Sequence, residues 1–502
     1  MGFLENLELG FSVAFLPLNL FYCFIGVLLG TAVGVLPGLG PLATIAMLLP
    51  LTFGLDPVQS LIMLAGIYYG SQYGGSTTAI LVNLPGESAS AVTTIDGYQM
   101  ARKGRAGQAL AAAALGSFFA GTVATVVVAL IARPLTSIAL SFGPAEYFSL
   151  MVVGLVSSVA LASGSLLKAL AMICFGLLVG LTGTDIYTGA PRFNFGQLEL
   201  LDGIDFVALA VGIYGIGEIL RNLESKEAAP AIIASVKNLW PSRDDLKRMV
   251  GPAIRGTFIG SALGVLPGGG ALLSSFVAYN VEKSTSKRSS EFGHGAIEGV
   301  TAPEAANNAG AQTSFVPMLA LGIPSNVVMA LMIGAMILQG IQPGPNVIAN
   351  NPEIFWGLIA SMWLGNAMLV ILNLPLISLW VSLLRVPYWF MFPAIIAFSC
   401  IGVYSVSNSG FAVYTVTVAG LIGYFLMKLD CEPAPFVLGF ILGPMLEEHL
   451  RRAMLISGGD MTVFVTRPIS AGLLLVAVIA LVVVSRPTIA RRRKQVFVEE
   501  ES

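Results

Sequence analysis

The chain has 502 residues, of which 56% are hydrophobic and 11% are charged, and its formal net charge is −2. A soluble domain carries about 25% charged residues, so this composition excludes an ordinary soluble protein and indicates a membrane protein. The small net charge offers no basic surface to nucleic acid and excludes that class of partner. The apolar runs match membrane helices and show no strand-like alternation, so we predict an all-α polytopic membrane protein of about 12 membrane segments.

The chain begins with MGFLENLELG, in which Glu5 and Glu8 are charged and no residue is basic. A secretory signal peptide needs a positively charged start, so the first apolar run is expected to stay in the protein. Lysine and arginine concentrate on the cytoplasmic side of membrane proteins, and the first of them is Arg102. We therefore expect the N-terminus outside the cell and the segment around Arg102 inside.

A glycine-rich motif then occurs twice, as GVLLGTAVGVLPGLG at residues 26–40 and as GTFIGSALGVLPGGG at residues 256–270. Nine of the 15 aligned positions are identical at a constant offset of 230 residues. Glycines four residues apart put small side chains on one helix face, where another helix can pack closely. The LPGLG and LPGGG ends combine proline with glycine, so each helix is expected to break there. Such a break at membrane depth must be buried in protein or face a wet cavity.

A second broken segment follows each copy: YGGSTTAILVNLPGESASA at residues 73–91 and NAGAQTSFVPMLALGIPSNVV at residues 308–328. Their loose alignment pairs Gly75 with Gly310 at an offset of 235 and Leu84 with Leu321 at 237. Polar side chains in a membrane interior either bind a ligand or join helices. Joining helices is the more frequent role of any single residue, but four breaks paired across two repeats favour a binding site.

The predicted site residues come from these four breaks. The substrate-binding candidates are Gly38, Gly40, Ser76, Thr77, Thr78, Pro85, Gly86, Ser88, Gly268, Gly269, Gly270, Asn307, Asn308, Thr313, Ser314, Pro324, Ser325 and Asn326. The cation-coupling candidates are Asn83, Glu87 and Glu304, because a carboxylate in a membrane binds a proton or sodium. For Glu87 and Glu304, capping of a helix start is an equally good interpretation. No transition-metal site is expected, since no ligand cluster has suitable spacing.

The motifs also divide the chain. We predict a first transmembrane repeat over residues 1–221, a cytoplasmic linker over 222–250, a second transmembrane repeat over 251–485 and a cytoplasmic tail over 486–502. The first copy starts outside and the second follows the basic linker, so the repeats are expected to be inverted, as in alternating-access transporters. The basic tail is also expected inside, so the halves should differ by one crossing.

Basic residues on both sides of residues 252–283 predict a re-entrant hairpin with PGGG at its tip. Each arm of about 14 residues would reach about 21 Å, which is short of the roughly 30 Å hydrocarbon core. The second copy is therefore expected to enter and leave the membrane on the cytoplasmic side.

No lysine or arginine lies in the four broken segments. An anionic substrate would therefore depend on helix N-termini, amides, hydroxyls and a cotransported cation. These features favour a secondary transporter coupled to Na⁺ or H⁺. A passive anion channel is the closest alternative, because broken helices also form selectivity filters. An intramembrane enzyme is disfavoured because both histidines lie near polar segments and the aspartates are scattered in loops.

Several long motifs together resemble one known family. They are GVLPGLGP, YYGSQYGGSTTAILVNLPGE with DGYQMARKGRAGQAL, GVLPGGGA, GVTAPEAANNA, LGIPSN and GFILGPMLEEHLRRAM with RPIS, and they span almost the whole chain. In these motifs the chain resembles the large, TctA-like membrane subunit of the tripartite tricarboxylate transporters. The resemblance implies a non-enzymatic, multi-pass permease of the bacterial inner membrane.

The resemblance also implies partners and cargo. The partners would be a small, TctB-like membrane subunit and a periplasmic, TctC-like solute-binding protein. The cargo would be citrate-like tricarboxylates or related organic acids, imported with sodium or protons and without any other cofactor. Members of the family serve varied organic acids, so the resemblance does not select one of them.

Overall fold

A computed structural model describes residues 2–36, 40–161, 165–185, 187–224, 236, 238–266, 270–384 and 388–485. Both proline-glycine tips, with the predicted site residues Gly38, Gly268 and Gly269, lie outside this range. So do much of the predicted linker and the whole predicted tail over residues 486–502.

The described residues are predominantly helical, as the composition predicts. In chain order the helices are α1 Phe3–Ala14, α2 Pro17–Gly34, α3 Pro41–Leu48, α4 Pro57–Val82, α5 Ala91–Arg102, α6 Ala106–Ala139, α7 Pro144–Leu161, α8 Leu166–Gly180, α9 Phe206–Ala210, α10 Gly217–Glu224, α11 Arg243–Val265, α12 Gly270–Thr285, α13 Glu298–Thr313, α14 Phe315–Leu321, α15 Val327–Leu338, α16 Asn346–Asn350, α17 Pro352–Asn373, α18 Ile377–Leu383, α19 Tyr388–Ser407, α20 Gly410–Lys428, α21 Pro433–Ile456, α22 Val463–Thr466 and α23 Pro468–Ser485. A π-helical stretch, Val211–Ile216, joins α9 to α10, and strands β1 Gly183–Thr184 and β2 Pro191–Arg192 form a short antiparallel hairpin.

Five stretches of the described helices are long and apolar enough to cross a membrane. They are α2, Ala106–Ile131 of α6, Phe206–Glu224, α17 and α20, and shorter apolar helices of 10–17 residues accompany them. A transmembrane helix needs about 20 predominantly apolar residues, so these stretches support a multi-pass membrane protein. The number of about 12 membrane segments and the inverted topology stay predictions.

The chain folds into two compact units, each built from two separate stretches of sequence. The first unit combines Met1–Thr136 with Asn222–Ser399, and the second combines Ser137–Arg221 with Cys400–Ser502. The predicted repeats run consecutively along the chain, whereas each compact unit draws one stretch from either half. The two halves are therefore intertwined in both units.

In the first unit the repeated glycines bring two helix pairs into backbone contact. A Cβ atom placed on any of six stripe glycines would lie only 2.3 to 2.4 Å from a carbonyl oxygen of the facing helix. The facing pairs are Gly26 with Met63, Gly30 with Ile67 and Gly34 with Ser71 between α2 and α4, and Gly256 with Ala302, Gly260 with Ala306 and Gly264 with Gly310 between α11 and α13. Both copies of the motif thus have the packing role that their spacing predicts.

The second copy of the motif forms a helical hairpin from α11 and α12. Arg255 in the middle of α11 binds Glu282 near the end of α12 through two hydrogen bonds of 2.7 and 2.8 Å, which hold the two arms together. The first arm is longer than predicted, because α11 begins at Arg243, where Ser242 caps it. A helix of 23 residues reaches about 34 Å, so arm length alone no longer requires the hairpin to be re-entrant.

Asp245 anchors the start of α11, outside the apolar helical stretches. Its carboxylate accepts hydrogen bonds from Ser242 at 2.9 Å and from the Arg105 guanidinium at 2.6 Å. Burial raises the pKa of Asp245, but the hydrogen bonds from Ser242 and Arg105 outweigh it and hold the pKa below the ordinary aspartate value. A depressed carboxyl pKa contributes stability above the unfolded pKa, and this stability is lost as the pH falls through the folded pKa.

Asp245→Asn is therefore expected to lower stability by about 0.5 to 1 kcal/mol near neutral pH, since the anchor is partly exposed. The difference from wild type should shrink once the pH falls below about 4, near the ordinary aspartate pKa. Thermal unfolding of the purified protein across this range measures the effect. Asp244→Asn is the matched control, because Asp244 is exposed in the same helical turn. A stability difference from wild type that does not change with pH, or that is the same for both variants, would contradict the proposed role of Asp245.

In the second unit, Asp185 lies beside β1 and holds two arginines. It pairs with Arg192 of β2 and with Arg451 of α21, and Glu447 of α21 binds both arginines. Burial raises the pKa of Asp185, but hydrogen bonds from the Tyr187 amide and from Arg192 hold it well below the usual range. The charged end of α21 thus secures the β-hairpin within this unit.

Candidate functional site

The candidate site lies in the first unit, where α4 and α13 carry the polar residues of the two broken segments. Both helices are buried along almost their whole length. Ser76 of α4 donates a hydrogen bond of 2.7 Å to Glu304 of α13. Asn307 of α13 donates one of 2.7 Å to Glu87, which follows α4. Side chains that are more than 200 residues apart in sequence therefore form one buried polar cluster.

In the first break, over residues 83–87, the chain turns back towards α4. Asn83 ends α4 in a left-handed conformation, with φ of 60°, and the chain unwinds through Leu84 and Pro85. Gly86 then donates a backbone hydrogen bond to the Gly75 carbonyl, and a Cβ atom on Gly86 would lie 2.4 Å from the Gly75 Cα. Only glycine permits so close an approach. Because of this return, Glu87 points into the buried cluster instead of leaving it.

The second break, over residues 322–326, has the same form. Gly322 ends α14 with φ of +73°, Pro324 follows two residues later, and the chain folds back to Ser314. Ser325 donates to the Ser314 carbonyl at 3.2 Å, and Asn326 donates to the Ser314 hydroxyl at 3.0 Å. The side-chain Oδ1 of Asn326 also caps α15 by accepting a hydrogen bond from the Met329 backbone amide. This break therefore ends at a capped helix start.

The two breaks correspond at an offset of 239 residues, from Asn83 to Gly322 and from Pro85 to Pro324. The glycine contacts of α4 and α13 give the same offset, since Ser71 and Gly310 face equivalent glycines. The alignment of Gly75 with Gly310, predicted from sequence, is wrong by four residues, or about one helical turn. Small residues recur along both helices, so a one-turn shift leaves the pattern almost unchanged.

Glu304 and Glu87 are the buried carboxylates of the cluster, with 1% and 8% of their surface exposed. Glu304 accepts hydrogen bonds from the hydroxyls of Ser76 and Thr93. No lysine or arginine of the described ranges forms an ion pair with either carboxylate. Glu304 lies inside α13, so it does not cap a helix start, whereas Glu87 does precede the short 3₁₀ turn Ser88–Ser90.

Several predicted residues use their hydroxyls or amides to join helices. Thr78 donates to the Val35 carbonyl at 2.8 Å and so links α4 to the end of α2. Asn308 donates to Ser117 of α6 at 2.6 Å. Thr77, Thr313 and Ser314 donate to carbonyls one turn earlier in their own helices. The bonds of Thr78 and Asn308 have the helix-joining role that the sequence leaves open beside binding, whereas the other three run within one stretch of helix.

The helix that follows each proline-glycine tip begins beside one of these two breaks: α3 beside the first break and α12 beside the second. Gly40 begins α3 beside Gly86, with a Cβ atom on Gly40 lying 3.6 Å from the Gly86 carbonyl. Gly270 begins α12 with φ of +52°, and a Cβ atom there would lie 3.7 Å from the Asn326 Cβ. Gly86, Pro324 and Ser325 are buried, while Asn83, Pro85 and Ser88 are exposed on the outer side of the first break.

A small recess lies beside Glu304. Its lining residues come from α4, α6, α13 and the end of α17, and they are Tyr73, Ser76, Thr77, Leu110, Ala113, Ala114, Ser117, Glu304 and Asn373. Tyr73, Ser117 and Asn373 are not among the residues predicted from sequence. Ser117 and Asn373 lie outside the four broken segments, and Tyr73 only begins one of them. Their common signal is a polar side chain within an otherwise apolar helix.

Gln72 is likewise not among the site residues predicted from sequence. It is buried in α4, and neither its amide nitrogen nor its amide oxygen has a hydrogen-bond partner. The Tyr68 hydroxyl lies next to both Gln72 and Asn326. A buried amide without partners is costly, so Gln72 is a candidate ligand-binding group at the same place as the second break.

Asp96 gives the DGYQMARKGRAGQAL motif a structural role. Its carboxylate accepts hydrogen bonds of 2.7 to 2.9 Å from the backbone amides of Gly293, Gly295 and Ala296. The Tyr279 hydroxyl donates a further bond of 2.9 Å. Asp96 therefore fixes the loop that leads into α13 and sets the position of the buried cluster from outside it.

Comparisons with known proteins agree with this arrangement of motifs. A family model described as "Tripartite tricarboxylate transporter TctA family" matches residues 20–438. An Agrobacterium vitis protein named "Uncharacterized 52.8 kDa protein in TAR-I ttuC' 3'region" is 62% identical over 501 residues, which is 100% of both chains. A second protein of that organism, "Uncharacterized protein in TAR-II ttuC' 3'region", is 61% identical over 242 residues, or 48% of this chain and 100% of its own. No solved structure matches the chain.

Proposed function

The chain belongs to the tripartite tricarboxylate transporter TctA family, and from this premise we propose that it imports citrate-like tricarboxylates or related organic acids. It is a multi-pass membrane protein of a transporter family. In the proposal it acts in the bacterial inner membrane by alternating access between two inverted repeats. Its partners are a small membrane subunit and a periplasmic solute-binding protein, and entry of sodium or protons drives import.

One observation carries the binding part of the proposal: two helix starts meet at the second break. α12 begins at Gly270 and α15 begins after Asn326, and a Cβ atom on Gly270 would lie 3.7 Å from the Asn326 Cβ. Helix N-termini offer free amides and partial positive charge to an anion. The buried side-chain amide of Gln72 lies close by, beside Tyr68. This combination supports recognition of a substrate carboxylate without a lysine or arginine.

The buried carboxylates support coupling to a cation. A substrate with several carboxylates would enter a region that already contains Glu87 and Glu304, and neither has a basic partner among the described residues. Like charges in a low dielectric repel strongly, so a cotransported cation or proton would offset this repulsion. An open channel has no comparable need for a coupled site, which favours a secondary transporter.

The proposal predicts gradient-driven uptake of an organic acid. The protein would be purified with its small membrane subunit, reconstituted into liposomes, and supplied with the solute-binding protein and labelled citrate. An inward sodium or proton gradient should raise uptake above that of liposomes without the protein. A screen of other di- and tricarboxylates would identify the preferred acid. Uptake that ignores both gradients would indicate a channel, and no uptake of any carboxylate would refute the proposed function.

A variant links this uptake to the second break. Asn326→Ala should weaken the apparent substrate affinity about 5-fold, since loss of a cap and a polar contact costs about 1 kcal/mol. Asn350→Ala serves as control, because Asn350 is exposed at the end of α16. Equal affinities of the two variants would remove Asn326 from the binding site.

A further inference from the structure

The recess beside Glu304 is lined by oxygen atoms and by no basic side chain. Tyr73, Ser76, Thr77 and Ser117 contribute hydroxyls, Glu304 a carboxylate and Asn373 an amide. Four separate helices supply these groups. The remaining lining residues are leucine and alanine. The walls therefore have negative charge and oxygen donors, which is the chemistry that attracts a hard cation.

The charge on Glu304 has no protein partner. Only 1% of its surface is exposed, and its described hydrogen bonds come from the neutral hydroxyls of Ser76 and Thr93. Burial of a carboxylate without a positive partner is strongly unfavourable. Either a proton or a cation must neutralise it for the first unit to be stable in a membrane.

Asn373 adds a buried oxygen without a partner, which favours a metal cation. Its side chain is 4% exposed, and its amide nitrogen donates to the Leu369 carbonyl at 2.9 Å. Its Oδ1 atom is buried and has no hydrogen-bond partner, and Asn373 is among the residues that line the recess. A proton on Glu304 would neutralise the carboxylate and offer a single O–H donor, whereas a metal cation binds several oxygens at once. A metal cation in the recess would be neutralised by the carboxylate and would also bind the amide oxygen.

One carboxylate balances one positive charge. Sites for divalent calcium use six to eight oxygens and commonly several carboxylates, whereas Glu304 is the one acidic residue that lines this recess. We propose that the recess binds a sodium ion through Glu304, Asn373 and the neighbouring hydroxyls of Ser76 and Thr77. This inference rests on the proposed cation coupling and assigns it to one place in the molecule.

The position of Glu304 suggests how the ion acts on the substrate site. Asn307 is one turn further along α13 and holds Glu87 of the first break. The backbone carbonyl of Glu304 also accepts from Asn308, whose amide binds Ser117. A sodium ion at Glu304 would therefore order the same turn of α13 that positions the first break.

The test measures sodium binding by the purified full chain, without substrate or partner proteins. Binding of ²²Na⁺ would be followed at constant ionic strength, together with the thermal unfolding temperature in NaCl, KCl and choline chloride. Wild type should bind ²²Na⁺, and sodium alone should raise the unfolding temperature. Glu304→Gln should weaken binding at least about 10-fold, the size expected when a charged ligand is lost, and should abolish the stabilisation by sodium.

Glu353→Gln is the control, because it makes the same change at an exposed carboxylate of the first unit that does not line the recess. It should bind ²²Na⁺ like wild type. Asn373→Ala provides a second arm if Glu304→Gln does not fold, and it should bind sodium several-fold more weakly. Equal binding by wild type and Glu304→Gln, or by wild type and Asn373→Ala, would overturn the site, as would a wild type that binds no sodium.

These outcomes are separate from those of the uptake experiment. Proton-driven uptake without sodium binding would overturn the sodium site and leave the transporter proposal intact. Sodium binding without carboxylate uptake under any gradient would refute the transporter proposal and leave the site standing.

Discussion

Replacing Gly260 by valine is expected to prevent the first unit from folding. A Cβ atom at this position would lie 2.3 Å from the Ala306 carbonyl oxygen and 2.8 Å from the Ala306 Cα. Both atoms belong to the backbone of α13, so no side-chain rotation can relieve the clash. Overpacking of a core costs about 1–3 kcal/mol, and more where the backbone must move. Gly260→Ala should therefore cost about 3 kcal/mol, and valine should exceed the margin of a marginally stable protein.

The effect is measured by the yield of monodisperse protein and by its thermal unfolding temperature. Gly472→Ala and Gly472→Val are the controls, because Gly472 lies within α23 and no atom is within 4 Å of its added Cβ. The control variants should behave like wild type. Gly30→Ala should reproduce the Gly260→Ala result, since its Cβ would lie 2.3 Å from the Ile67 carbonyl oxygen. Similar unfolding temperatures for the Gly260 and Gly472 variants would contradict the proposed role of the glycine stripe.

Removal of the Asn307 amide is expected to abolish uptake and to destabilise the first break. Asn307 gives Glu87 its described side-chain donor, across 2.7 Å. A buried acceptor that loses its donor costs about 1–3 kcal/mol, and more when it is charged. Asn307→Ala should therefore release Glu87 from the cluster and misplace the chain around Gly86. Uptake in liposomes and thermal unfolding would measure both consequences.

A double-mutant cycle with Glu87→Gln separates this pair from general damage. If the two side chains act together, the double variant should lose less stability than the sum of the single variants, with a coupling of about 1 kcal/mol or more. Asn350→Ala should leave uptake and stability unchanged, since Asn350 is exposed. Additive effects of Asn307→Ala and Glu87→Gln would show that the pair does not link α13 to the break.

The packing of the glycine stripes and the form of the breaks could be predicted from sequence. Gly26, Gly30 and Gly34 repeat at the spacing of one helix face, and the helix contacts at these positions follow from that local period. Asn83 and Pro85 end α4 for equally local reasons, because a left-handed residue and a proline cannot continue a helix. The family could also be recognised, since its long motifs need no tertiary information.

The polar partners could not be predicted in the same way. Glu304 is 228 residues from Ser76 and 211 residues from Thr93 along the chain. Asn373 reaches the same recess from the end of α17. Which of them meet depends on how far each helix is shifted and rotated against its neighbours. The error of one turn in aligning Gly75 with Gly310 has the same origin, because small residues recur at similar spacing in both helices.

The sequence by itself therefore determined the membrane class, the duplicated glycine motif, the places where helices break and the family. Each of these depends on composition or on contacts between residues close in the chain. Only the tertiary structure decided that both halves contribute to each compact unit, that Glu87 meets Asn307, and that Glu304 and Asn373 share a recess. The physical reason is that side-chain contacts between distant helices are fixed by the packing of whole helices, which no short stretch of sequence specifies.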